Sequence, residues 1–106
     1  MQLEFQLEDE PDDELLVRWR SFHDANPHVW RRLVEIAHGL RARGHRQYGM
    51  KALFEVLRYE RALTTNDPTS IFKLNNDYAA VYAREIMRVE TSLAGFFTIR
   101  RSRLDD

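Results

Sequence analysis

Four stretches of this 106-residue chain repeat their apolar side chains at the period of an α-helix, and each is bounded by residues that start or stop one. In the first, about Asp13 to Ala25, Leu15, Leu16, Trp19 and Phe22 share roughly a third of the helical wheel, with His23 at its edge. Its start is acidic, which suits the positive end of a helix dipole. Asn26-Pro27 then opens the second helix. Asparagine there can cap exposed amides with its side chain, and proline at the first helical position has a preset φ and no amide to leave unpaired. Val29, Leu33, Ile36, Ala37 and Leu40 form its apolar face, flanked by Trp30 and Val34, and Gly44 suits a left-handed stop. After the basic connector Arg43 to Gly49, a third helix of about Met50 to Leu63 buries Met50, Leu53, Phe54 and Leu57, with Lys51, Glu55 and Arg58 facing out. A fourth, about Asp77 to Val89, follows a possible cap at Asn75-Asn76 and buries Tyr78, Ala79, Tyr82, Ala83, Ile86 and Val89.

Three shorter segments read as strands. Leu3, Phe5 and Leu7 alternate with polar residues in the leader, Ile71 to Leu74 is a short candidate, and Phe96 to Ile99 is β-prone with Arg100, Arg101 and Arg103 at its exit. The expected fold is therefore mainly α, with four helices and one or two short β segments. It consists of one domain over residues 15–106 behind an acidic segment at 1–14.

Charge divides along the same boundary. Met1 to Glu14 holds seven Asp/Glu and no Lys or Arg, whereas Leu15 to Leu104 holds sixteen bases against eight acids. The net charge of -1 thus conceals a basic body, and a one-signed field over a body steers polyanions. The leader has two readings: an arm that competes for the basic face, or an edge strand, its partners being Phe97 and Ile99. With no cysteine, disulfides, thiolate zinc sites and thiol nucleophiles are excluded. No apolar run reaches the ~18 residues of a membrane span, and an acidic start is unlike a basic signal-peptide leader. A cytoplasmic protein is the expectation.

Catalytic patterns are weak. Glu35 and His38 have the Glu-x-x-His spacing by which one helix offers two metal ligands, but a di-iron bundle needs a second copy and two more Glu. None of Ser21, Ser70, Ser92 and Ser102 lies in a nucleophile elbow, and Gly39, Gly44 and Gly49 recur at intervals of five, unlike a phosphate loop. The chain is read as a non-enzyme without metal or cofactor.

The bases carry more information. Arg31 with Glu35, Glu55 with Arg58 and Glu85 with Arg88 have the spacing of helix-surface ion pairs. Left without a sequence partner are Arg41, Arg43, Arg46, Lys51, Lys73, Arg84, Arg100, Arg101 and Arg103. If the connector, the third and fourth helices and the final strand converge, Arg43, Arg46, Lys51, Lys73, Arg84, Arg100, Arg101 and Arg103 form one nucleic-acid-binding face; otherwise they are a dispersed, solvated surface. Most aromatic residues fall on core faces, with Tyr48 and Tyr59 as exceptions.

The element order, helix, basic connector, helix, gap, helix and terminal β segment, resembles a winged helix, although the gap from Leu63 to Asn75 exceeds an ordinary helix-turn-helix turn. From Phe22 to Arg101 the chain also resembles a group of small phage and prophage-encoded proteins of unassigned activity, through Asn26-Pro27, Phe72 to Asn76 and Tyr82-Ala83-Arg84. The resemblance implies a phage or bacterial origin and a winged-helix type of DNA binding. The expected partner is duplex DNA. The rival expectation is a protein-binding module acting on a host complex, with an exposed apolar anchor such as Tyr59 at the centre of its docking face.

Overall fold

The computed structural model describes residues 13–64 and 74–98. Four helices are formed: α1 (Asp13–Ala25), α2 (Pro27–Ala42), α3 (Met50–Leu63) and α4 (Ala79–Val89). Short 3-10 turns at Asn76–Tyr78 and Thr91–Leu93 bracket α4, and two short strands, β1 (Tyr48–Gly49) and β2 (Phe97–Thr98), complete the architecture. The mainly helical expectation holds. The leader strand at Leu3 to Leu7, its proposed pairing with Ile99, and residues Ile71 to Lys73 lie outside the described residues.

Local chemistry sets most helix ends. Pro27 occupies the start of α2, and Gly44, at φ 99°, ends it. The amide of Gly44 donates to the Arg41 carbonyl at 3.0 Å and that of His45 to the Leu40 carbonyl at 3.1 Å, the paired bonds that close a helix on a left-handed glycine. Asn75 accepts the Asp77 amide at 2.8 Å through Oδ1, so the asparagine cap falls one residue before the 3-10 turn leading into α4. Asn26 behaves differently from expectation. Its side chain makes no cap bond to α2; instead Nδ2 donates to the Phe22 carbonyl at 3.0 Å, and its backbone amide donates to the same oxygen at 2.9 Å. It therefore closes the carboxyl end of α1, because the tight α1–α2 corner places that carbonyl within its reach.

The core is built around α4. Val81, Tyr82, Ala83 and Ile86 are all buried there, packed with Val29, Leu33 and Ala37 of α2, Leu53, Phe54 and Leu57 of α3, and Leu93, Phe96 and Phe97 after α4. Tyr82 sits among aromatic rings, with centroids of Trp19 at 5.5 Å, Phe54 at 6.0 Å and Trp30 at 6.4 Å. Two expected core residues are outside it: Val89, the last residue of α4, is 52% exposed, and Leu16 is exposed on α1. Conversely Val81, off the expected face, is buried because α4 is enclosed on more than one side.

The strands pair in parallel, Tyr48 opposite Phe97 and Gly49 opposite Thr98. The Tyr48 amide donates to the Phe96 carbonyl at 3.0 Å. This long-range pair fixes the α2–α3 connector against the end of the described chain. Among the described residues no helix is long and apolar enough to cross a membrane.

Candidate nucleic-acid interface

From Ile36 to Phe54 the chain contains no Asp or Glu, and from Thr91 to Thr98 it contains none either. The β1–β2 pair joins these two stretches into a region whose own described residues include no carboxylate. On it lie Arg41, Arg43, His45, Arg46 and Lys51, all exposed. The Arg41 guanidinium stands 5.9 Å from the centre of the Phe96 ring, tying the end of α2 to the segment before β2. Arg43 Nη1 donates to the Gly39 carbonyl at 3.2 Å, so its side chain folds back along the last turn of α2. Neither contact neutralises a charge. Beside them the rings of His45 and Tyr48 meet edge to face at 5.7 Å.

Carboxylates and their partners gather elsewhere. Arg32 donates to Glu35 at 2.8 Å and forks onto Glu60 at 3.0 and 2.5 Å, linking α2 to α3. Those bonds hold the Glu60 carboxyl below its ordinary pKa. The expected pair of Arg31 with Glu35 is thus replaced by Arg32 with Glu35, one residue on, because Glu60 draws Arg32 toward α3. The other two expected pairs form: Arg58 with Glu55 at 2.8 Å and Arg88 with Glu85 at 2.6 Å.

Arg58 is not simply an outward-facing residue. Its Nη2 donates to the Leu74 carbonyl at 2.5 Å and to Asn76 Oδ1 at 2.8 Å, while its guanidinium lies 5.8 Å from the Phe54 ring centre. It is a clamp between α3 and the chain entering α4. Only the i,i+3 relation to Glu55 was visible in sequence; the Leu74 carbonyl is sixteen residues away.

Of the expected binding residues, Arg43, Arg46 and Lys51 are brought together around β1. Arg84 is on α4, half-buried and engaged in an interaction of its own, so it belongs to the core helix more than to this surface. Lys73, Arg100, Arg101 and Arg103 lie outside the described residues. His45, which sequence reasoning left out, sits in the same carboxylate-free run, as does Arg41, one of the bases without a sequence partner.

A shallow groove of about 480 Å³ is lined by Trp30, Arg31, Val34, Glu35 and Glu90. Its two carboxylates make it a poor receptor for phosphate. Among the described residues no group of three or more His, Cys, Asp and Glu is placed to hold a metal ion. Among the described residues three buried polar atoms, Trp19 Nε1, His23 Nδ1 and the Tyr82 hydroxyl, have no hydrogen-bond partner. Burial pushes the Tyr82 hydroxyl well above its ordinary pKa. Trp19 and His23 stack at 5.1 Å and 5°, so these groups contribute to packing. No protein-family model, curated protein or solved structure matches the chain.

Proposed function

We propose that this is a small, non-enzymatic DNA-binding protein of winged-helix-like design, of phage or prophage origin, acting in the cytoplasm of a bacterial host. The observation that supports it most is the pairing, among the described residues, of two stretches that hold no Asp or Glu, one of them carrying the basic α2–α3 connector and the other β2. Phosphate contacts supply most non-specific affinity, and they require cations that nearby carboxylates have not already neutralised. Among the described residues Arg43, Arg46 and Lys51 have no carboxylate partner, and the run Arg100, Arg101 and Arg103 follows β2 closely in sequence. α4 is enclosed in the core, so α3, with Lys51 in its first turn, is the helix available to approach a groove. A departure from the winged-helix pattern is the parallel β1–β2 pair, since a wing is an antiparallel hairpin.

The test is binding of duplex and single-stranded oligonucleotides across a salt series. If about five cations meet phosphates, log K falls against log salt with a slope near -4.5. Replacing Arg43, Arg46 and Lys51 together by Gln lowers the steepness by about 2.7, from three contacts at about 0.9 each. Arg88→Gln, on the ion-paired surface, leaves it unchanged. Absence of duplex binding at low salt, or a slope indifferent to the triple variant, overturns the proposal.

The second reading, a protein-binding module, is favoured by one observation. Tyr59, the expected anchor, is 65% exposed on α3, with Val56 and Leu63 exposed beside it. An apolar helix face without a cover is a docking feature that phosphate binding does not need.

A further inference from the structure

The connector between α2 and α3 interleaves cations with rings: Arg43, His45, Arg46, Tyr48 and Lys51 follow one another within a few residues. Cations bind the phosphates of any nucleic acid, whereas a surface ring adds affinity only where a base can lie against it. In the structure the His45 and Tyr48 rings meet edge to face, with centroids 5.7 Å apart and planes at 88°. Such a pair uses one face of a single ring, so it leaves ring surface for a third partner. His45 is exposed, while Tyr48 is half-buried and packed against the core. The Tyr48 amide is held in addition by the Phe96 carbonyl at 3.0 Å. The pair is thus fixed in place by the fold, which lowers the cost of ordering it around a ligand.

Charge separates this pair from the other accessible rings. Trp30 shares its groove with Glu35 and Glu90, and Tyr59 lies between Glu55 and Glu60 in sequence, so a phosphate approaching either ring meets carboxylates. Among the described residues, Tyr48 is the only Phe, Tyr or Trp of the two carboxylate-free stretches that is not buried. Duplex bases are stacked on one another, and a ring at the protein surface finds no base face there. An unpaired strand offers one at every nucleotide. We infer that Tyr48 and His45 form a base-stacking platform, and that the basic connector takes single-stranded DNA as well as duplex, with the two rings on unpaired bases and Arg43, Arg46 and Lys51 on the flanking phosphates. This rests on the nucleic-acid binding proposed above and adds to it the class of strand.

The test measures the affinity of the full chain for three labelled ligands at one salt concentration: an oligothymidine of about 12 nucleotides, the same strand without its bases, and a duplex of equal length. The abasic strand keeps every phosphate. The base-bearing strand should bind at least about five-fold more tightly than the abasic one. Tyr48→Leu keeps an apolar side chain on the core and should remove that preference, whereas Tyr48→Phe should retain it. His45→Ser, at an exposed position, should reduce it, and it carries the comparison if Tyr48→Leu fails to fold. In a salt series on the oligothymidine, Tyr48→Leu should lower log K at every salt concentration with the slope unchanged, because no phosphate contact is lost. Equal affinity for the base-bearing and abasic strands, or a preference that survives both Tyr48→Leu and His45→Ser, overturns the inference and leaves phosphate binding standing. Failure to bind any of the three ligands at low salt overturns the nucleic-acid reading itself, and the platform with it.

Discussion

Replacing Arg58 by Ala should destabilise the protein far more than a surface arginine normally does. Its four contacts contribute unequally. The bond to the Leu74 carbonyl matters most, since Leu74 is buried and its oxygen would lose a charged donor; such bonds contribute about 1.5 to 3 kcal/mol. The guanidinium over the Phe54 ring adds about 0.5 to 1 kcal/mol. Asn76 and Glu55 are exposed, so water replaces Arg58 at both, and the Glu55 ion pair contributes only a few tenths of a kcal/mol. The total is about 2 to 4 kcal/mol, a large share of the 5 to 15 kcal/mol that holds a domain together. Urea denaturation followed by far-ultraviolet circular dichroism measures it directly, with Glu55→Ala as the control expected to cost less than about 0.5 kcal/mol. Arg58→Lys should recover less than half of the loss, because an ammonium lacks the planar fork that reaches Leu74 and Asn76 together. A loss below about 1 kcal/mol for Arg58→Ala, or an equal loss for Glu55→Ala, would show that the clamp on Leu74 contributes nothing and that only the surface pair is felt.

The core assignment predicts that Leu33→Ala costs about 2 to 5 kcal/mol through lost burial and a cavity, whereas Val89→Ala stays within about 0.5 kcal/mol; equal costs in thermal melts would refute it. Tyr82→Phe should be neutral or stabilising by up to about 1 kcal/mol, since it removes a buried hydroxyl that has no partner among the described residues. The same hydroxyl has a raised pKa in the folded state, so its contribution is intact below the unfolded value near 10 and is lost as pH rises above it. Tyr82→Phe should therefore lessen the alkaline fall in stability, and a destabilised variant with an unchanged alkaline limb counts against burial of an unpaired hydroxyl. Changing Glu8, Asp9, Glu10 and Asp12 to their amides, while keeping Leu3, Phe5 and Leu7, should tighten duplex binding most at low salt if the acidic segment competes with phosphate; unchanged affinity removes that role.

By itself the sequence determined the helices and their ends. Pro27 and Gly44 act through their own φ preferences, Asn75 through an amide two residues away, and the apolar period of α3 through residues one turn apart. These signals are local, so no partner element is needed to read them. The ion pairs of Glu55 with Arg58 and Glu85 with Arg88 were legible for the same reason. Tertiary structure decided what local chemistry left degenerate. Arg31 and Arg32 are both within reach of Glu35, and Glu60 on α3 settled the choice. Asn26 has a helix end on either side, and the α1–α2 corner assigned it to the Phe22 carbonyl. The enclosure of α4 buried Val81 and left Val89 outside, because which faces are covered depends on how many neighbours a helix has. The candidate interface is of the same kind. Each basic residue was visible in sequence, but Tyr48 and Phe97 are 49 positions apart, and only their pairing brings the two carboxylate-free stretches together. Strand pairing is a long-range contact whose partner is set by core packing, and no local period encodes it.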